Sequence, residues 1–537
     1  MNVDNPRAAS LFRSSGALRR RVLLTGTMAL CAPRIAQAGA AATLKFVPVA
    51  DLNTVDPHVI GPDILGTYCC AVYDMLYGLD ESFTPRRQMV EGETVEDDGK
   101  RWRLTLRPGL RFHDGEPVRA ADVVASLRRW GSVDAFGITL MRATDALSVV
   151  SDRVVEFRLK KPFPRLISAL AKFSVPGPWI IPEHQATLPV GKPLTDLIGS
   201  GPFRMKPDER ILGSRVVFEK FAAYVPRADG TASFQAGPKV ARFDRVEWNV
   251  VPDVATAADA IIKGEVDWWD SVSPDFVPLL RKQAGVKLTL NDLLGSDAGM
   301  VFNTLLPPFD NAAIRRAILP AISQSDFMTA VAGEDRTYWR DRVGVFSTGK
   351  PLSTDVGIDV LAGDVGASRA ALKDAGYRGE RVVMMQVADY ATMGTLGEVA
   401  ADLLHRIGLN VDAQVMDYAT LMQRRNNKAP PGQGGWNVYC TWYPGINRFD
   451  PASNLVSRGD GTYSGWSNDP RLRELRAAWF DAPDLPAQQA VARDIQREMW
   501  NFVPFIPLGE YFTTSATRIS LSPVSRGTPL FYNVSRI

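Results

Sequence analysis

The chain has 537 residues, with 62 Lys and Arg against 59 Asp and Glu; six Arg and one Asp lie in residues 1–38, leaving 56 basic against 58 acidic beyond them. A remainder so close to neutral argues against a nucleic-acid partner, which would show as a basic patch. Three cysteines beyond the leader (Cys69, Cys70 and Cys440) are no disulfide framework, and no later segment is apolar over the ~20 residues a spanning helix needs.

The first 38 residues read as an export signal. Arg19-Arg20-Arg21 precedes an apolar run to about Ala32, and Ala36-Gln37-Ala38 is a small-x-small cleavage site. The arginine run favours twin-arginine export over the Sec route. Cys31 after Met28-Ala29-Leu30 leaves a lipid anchor as a second reading, disfavoured by the bulk of Leu30. Either route leads outside the cytoplasmic membrane, and the expected location is the periplasm.

Beyond the leader, strand-like and helix-like stretches alternate, as in mixed α/β construction. Ile64, Leu65, Tyr68, Val72, Met75 and Leu76 recur at helical spacing, which puts Cys69-Cys70 on a helix as small buried residues. In residues 101–106, RWRLTL alternates as a half-buried strand. Pro108-Gly109 and His113-Asp114-Gly115 turn the chain. Val123, Val124, Leu127 and Trp130 then form a helical stripe with Asp122 in its first turn, where the dipole favours an anion. Residues 243–251 predict a strand, and 255–262 a helix ended by Gly264. Residues 382–387 and 411–415 predict strands on either side of a helix over 398–407 stopped by Gly408. Two late helices are expected at 471–480 and 488–500. Residues 503–508, apolar but broken by two prolines, suit an edge strand or a crossing segment.

Catalytic and cofactor chemistry finds no support. Residues 344–351, GVFSTGKP, have the glycine and lysine spacing of a phosphate-binding loop, but Pro351 replaces the metal-binding hydroxyl residue, so they read as a loop. His58, His113, His184 and His405 have no metal-ligand spacing, and no nucleophile elbow occurs. Arg424-Arg425 reads as solvated helix surface. No metal and no cofactor are expected, and the chain is expected not to be an enzyme.

The wording of residues 104–130, LTLRPGLRFHDGEPVRAADVVASLRRW, closely resembles the signature of the extracellular solute-binding proteins that serve peptide- and nickel-type ABC importers. Further blocks resemble that family in order: YDMLYGLD at 73–80, GSGPF at 199–203, GEVD at 264–267, FNTLLPPFD at 302–310, AALKDAGY at 370–377 and Asp450-Pro451. One departure is Arg119, where many relatives carry Thr, so a side-chain cap is missing. The resemblance implies an α/β, two-lobed periplasmic binding protein fold of the peptide type. Lobe one would comprise 39–80, 200–300 and 503–537, with a subdomain inserted at 81–199, and lobe two 301–502. Crossings near Phe302 and Phe505 would form the hinge. It further implies a periplasmic substrate-binding component of an ABC import system, which captures a peptide-like or other small solute between closing lobes, delivers it to permease subunits and acts as a monomer. A secreted hydrolase with a carboxylate pair and a ligand-sensing receptor subunit are the competing readings.

Sites between lobes are concave and aromatic, with a few polar groups. Candidate ligand-binding residues are therefore Trp268, Trp269, Asn303, Tyr390, Trp442, Tyr443 and Asn447. The resemblance also implies an Asp shortly before Asp450-Pro451 that holds a peptide's α-ammonium, but here Ile446 or Asn447 stands at that place. A buried ammonium needs an anionic partner, so the pocket is expected to take a neutral or anionic solute, or an amine held by another acid such as Asp389.

Overall fold

Alternation of apolar and polar side chains builds the first sheet. In Arg245–Asn249, Val246 and Trp248 are buried while their neighbours are half-buried, as a pleated strand covered mainly on one face requires. The computed structural model describes residues 42–194, 196–290 and 293–537; the expected export signal and Cys31 lie outside them. Seven strands form this sheet, in the order Phe203–Met205, Arg215–Lys220, Arg245–Asn249, Thr43–Val47, Trp268–Val272, Thr514–Arg518 and Val286–Leu290. Its centre pairs parallel, and its flanks are antiparallel.

The second sheet has six strands: Trp339–Arg340, Phe505–Tyr511, Ser296–Phe302, Val438–Pro444, Arg381–Val387 and Asn410–Met416. Arg381–Val387 and Asn410–Met416 pair in parallel across the helix Ala391–Arg406. That helix begins at Ala391, a turn and more before the apolar stripe, because Met393, Leu396 and Gly397 also bury against the sheet. A third, four-stranded antiparallel sheet takes Val90–Glu96, Arg101–Leu106, Val154–Leu159 and Thr144–Ser151. No helix among the described residues is long and apolar enough to cross a membrane.

The chain leaves the first sheet at Leu290 and joins the second at Ser296, and it returns over 512–513. Phe302 and Phe505 therefore do not mark the crossings. Ser296–Phe302 pairs along its whole length with Val438–Pro444 and with Phe505–Tyr511, so both lie inside the second sheet. The expected boundaries at 300 and 503 cut through or precede strands that belong wholly to that sheet. Pro507 is tolerated because the register shifts between Ala298 and Gly299 opposite it.

Arg315 fastens this region. Its guanidinium is fully buried and donates to the carbonyls of Phe309, Phe502 and Val503. Burial lowers its pKa to about 10. The helix after Arg119 spans Ala120–Trp130, and the missing hydroxyl cap is replaced from inside. The Asp122 carboxylate accepts the Arg119 amide at 2.8 Å and the Glu183 amide at 2.8 Å. The cysteine helix is shorter than expected, Asp63–Val72, because Tyr73 turns extended and Asp74–Met75 pairs with Trp179–Ile180.

Candidate functional site

The strand Val438–Pro444 delivers the loop that matters most. Pro444 stops it, and the short 3-10 turn Gly445–Arg448 follows. Gly445 is obligatory for close approach: a Cβ there would lie 2.2 Å from the Leu294 carbonyl oxygen. Its amide donates to the Gly295 carbonyl at 2.7 Å, which fixes the loop directly on the first crossing. From the other side the decoy loop at 344–351 braces it. Ser347 Oγ donates to the Gly445 carbonyl at 2.6 Å, and the buried Arg448 guanidinium donates to the carbonyls of Gly344 and Val345. Arg448 thus turns away from the cleft and brings no positive charge into it.

Between the sheets this loop walls a cavity of about 230 Å³. Lobe one contributes the first turns of helix Asp63–Val72, the strand residues Asp270 and Ser271, and the rings of Phe83, Phe173 and Phe234. The crossings contribute 293–296 and Thr513, and lobe two contributes Trp442 and 444–447. Asp63 and Asp270 are the charged residues in this lining; no Lys, Arg or His joins them. A neighbouring cavity of about 170 Å³ shares Phe83, Phe173, Ser174 and Ile446 and adds Arg165, Lys172 and Asp450. There Lys172 Nζ sits 2.9 Å from Asp134, and burial pushes the Asp450 carboxyl above its ordinary range although it accepts the Ser453 amide at 2.8 Å.

Phe83 and Phe234 both hold left-handed backbone, with φ of 59° and 50°, and their rings lie 6.2 Å apart. Such conformations cost roughly 1–3 kcal/mol for a non-glycine residue and gather at ligand clamps. Phe83 also meets the opposite lobe, with the Phe449 ring at 5.1 Å and Lys350 Nζ 5.0 Å from its centroid. At the far edge, helix Pro470–Asp481 sets Phe480 against the rings of Phe136 and Phe163, and Lys161 pairs with Asp481 at 2.7 Å.

Of the expected ligand residues, Trp442 and Asn447 line the cavity, and Tyr390 stands behind Trp442 in a row with Tyr418. Centroids are 5.5 Å apart for Tyr418–Tyr390 and 6.4 Å for Tyr390–Trp442, with interplanar angles of 35° and 30°. Burial raises the Tyr390 hydroxyl to about 12 and also raises that of Tyr418; a smaller contribution to both is the negative charge of Asp63 across the cleft.

The other four do not face the cavity. Trp268 is fully buried among Phe46 and Phe531, at 5.3 and 5.9 Å, because both faces of the central strand are covered. Trp269 packs on the opposite face with Ala257 and Ile261 of helix Val254–Lys263. Asn303 spends its amide on backbone, donating to the Trp436 carbonyl at 2.8 Å and accepting the Leu305 amide at 3.0 Å. Tyr443 is buried, with its hydroxyl 3.3 Å from that of Tyr463. Asp389 is bound to the Tyr418 amide at 2.7 Å and lies outside the cavity lining, and Arg424 donates to the carbonyls of Gly434 and Gly435 rather than to water alone. Sequence reasoning missed Asp63, Asp270 and the three phenylalanines. For Asp270 a signal existed: it directly follows the Trp268-Trp269 pair, near the end of a strand.

Comparison with known proteins fits this architecture. The family described as "Bacterial extracellular solute-binding proteins, family 5 Middle" matches residues 84–461. The chain is 32% identical over 523 residues to the probable peptide ABC transporter periplasmic-binding protein y4tO of Sinorhizobium fredii, covering 96% of this chain and 98% of that one. It is 24% identical to the glutathione-binding protein GsiB of Salmonella typhi, over 86% and 87% of the two chains. Among solved structures, the oligopeptide-binding protein AppA of Bacillus subtilis, in complex with a nonapeptide, superposes with a TM-score of 0.75 at 16% identity, over 92% and 99% of the chains.

Proposed function

We propose a working cycle for this chain, which belongs to the bacterial extracellular solute-binding proteins of family 5 and is the substrate-binding component of an ABC import system. A small peptide-like solute enters between the lobes, the lobes close about the crossings at 293–295 and 512–513, and the closed form hands the solute unchanged to permease subunits at the membrane. Two short crossings are the kind of segment that absorbs hinge rotation. The observation that carries this reading is the cavity itself: it is walled by both lobes and both crossings, so closure around a solute would bury it on every side.

The relatives' names support the ligand class, since y4tO is described as a probable peptide-binding component and GsiB as glutathione-binding. The protein works as a monomer in the periplasm, binds no nucleic acid, and reaches its compartment by twin-arginine export through residues 1–38. Three lobe-one sections, 42–80, 200–290 and 514–537, form one closing body together with the inserted subdomain at 81–199. Residues 296–511 form the other.

Tryptophan fluorescence and thermal shift against a library of di- and tripeptides test the reading. One saturable solute recovered chemically intact after long incubation is the expected result. Steady conversion of that solute would replace capture by hydrolysis.

A further inference from the structure

The cavity of about 170 Å³ beside the main one is also walled by both bodies: Phe136, Arg165 and Lys172 come from the inserted subdomain, and Ile446, Phe449 and Trp479 from lobe two. Phe83, Phe173, Ser174 and Ile446 line both cavities, so a solute seated in the first can extend into the second. Two cations stand in this lining, and they differ in the donors left to them. Lys172 uses all three of its own, on Asp134 at 2.9 Å and on the carbonyls of Ser174 and Pro176 at 2.9 and 2.7 Å. Arg165 donates from a terminal nitrogen to the Ala482 carbonyl at 3.2 Å, and its Nε is buried with no hydrogen-bond partner among the described residues. Asp450 and Asp484 reach it through charge, while their carboxylates accept the Ser453 amide at 2.8 Å and the Ala487 amide at 2.9 Å. Burial lowers the Arg165 pKa in spite of those two acids, whereas Arg245, paired at two points with Glu209, is pushed up.

Resting on the capture reading above, we propose that the solute carries a carboxylate, and that Arg165 receives it in this second cavity on the edge formed by Nε and a terminal nitrogen. A guanidinium edge matches the two oxygens of a carboxylate, and such charge-assisted pairs are the strong ones. A neutral acceptor would satisfy Nε without offsetting the partly buried charge. The apolar walls formed by Phe83, Phe136, Phe173 and Phe449 keep water out and strengthen the attraction. Trp479 supports the guanidinium, with its ring centroid 5.9 Å from the central carbon. Arg165 belongs to the subdomain, but Ala482 and Trp479 belong to lobe two. The guanidinium is therefore fully positioned when the two bodies are together, which couples recognition of the carboxylate to closure. Asp450 opposes the incoming charge from the same lining, and this fixes the sign expected for its own substitution.

The test takes the purified protein and a thermal-shift library of free di- and tripeptides, their C-terminal amides, Asp- and Glu-containing peptide amides and neutral sugars, with each hit titrated by calorimetry. Every hit is expected to carry a carboxylate, and converting that carboxylate to an amide is expected to weaken binding roughly 10- to 100-fold, the range for a charge-assisted contact. Hits among the free peptides alone place the carboxylate at the C-terminus; hits among the Asp- and Glu-containing amides place it on a side chain. Arg165→Gln should weaken the acid form of the hit roughly tenfold or more and leave the amide form within about twofold. Asp450→Asn should strengthen the acid form and leave the amide form alone. A disturbed fold would weaken both forms together, so equal losses in Arg165→Gln overturn the inference but leave capture standing. A tight hit that carries no carboxylate does the same. Saturable binding of none of these classes overturns capture, and the inference with it.

Discussion

His113 and Gly199, 86 residues apart in the chain, are joined through the imidazole: Nδ1 accepts the Gly199 amide at 3.1 Å, while Nε2 donates to the Gly201 carbonyl at 3.1 Å. The Gly199 carbonyl in turn accepts the His113 amide at 2.8 Å. Two stretches far apart in the sequence, the His-Asp-Gly turn and the Gly-Ser-Gly-Pro-Phe turn, are thus one structural unit. Gly199 itself has no room for a side chain, because a Cβ would lie 2.0 Å from the Val72 carbonyl oxygen at the end of the cysteine helix.

The pH dependence of stability follows from this imidazole and from His58, whose Nε2 donates to the Trp179 carbonyl at 2.9 Å. Burial is the main reason both are lowered to about 4. A depressed imidazole stays neutral in the folded chain while the unfolded chain takes up a proton below about pH 6.5, so stability is full above that value and falls as the pH drops towards 4. Each imidazole should cost about 2 kcal/mol between roughly pH 7.5 and pH 5. Urea denaturation at the two pH values should show the loss, and His113→Gln should shrink the difference while lowering stability at neutral pH. An unchanged difference in that variant would remove His113 from the account.

Asp56 and Arg129 form a buried two-point ion pair, with contacts of 2.7 and 2.5 Å and side chains almost out of solvent. Removing one partner leaves a buried charge alone, which costs about 3–5 kcal/mol. Arg129→Met should therefore destabilise strongly, and Arg129→Met with Asp56→Leu should recover a good part of the loss. Chemical denaturation of the two variants checks this, and simple additivity would contradict it.

Gly445→Ala should act on binding through geometry. The new methyl would press on the Leu294 carbonyl, and overpacking of that kind costs about 1–3 kcal/mol. Because the loop carries Ile446 and Asn447 into the cavity, the affinity for any identified solute should fall roughly tenfold or more, by the usual conversion of such energies. Calorimetric titration decides; equal affinity would mean the loop does not shape the site.

Trp442 and Trp268 should separate binding from folding. Trp442→Ala opens the cavity wall and should weaken solute binding by about 2 kcal/mol or more, as for other aromatic anchors. Trp268→Ala leaves a hole among Phe46 and Phe531, costs about 3–5 kcal/mol of stability, and should not alter affinity in whatever fraction stays folded. A milder Trp268→Phe keeps the second arm measurable. Solute affinity lost in Trp268→Phe would put that ring at the site.

The fold was largely legible because its signals are local or repeated. Period-two alternation marked Arg245–Asn249, and a 3.6-residue stripe ended by glycine marked helices Val254–Lys263 and Ala391–Arg406. Motif order carried the two-lobed class. The site was legible only in part. Tryptophan content alone does not distinguish a ring between two covered sheet faces, such as Trp268, from one standing at a strand end over a cavity, such as Trp442.

By itself the sequence determined which segments become strands and helices, that the chain builds a binding protein, and that Ile446 and Asn447 rather than an acid stand shortly before Asp450-Pro451. These depend on residue type and spacing along one stretch of chain. Only the tertiary structure decided that Asp63 and Asp270, 207 residues apart, share a cavity with Asn447, and that Arg448 leaves it. Burial, facing and the sum of charges across a cleft are properties of what surrounds a side chain in space, and separation along the backbone does not encode them.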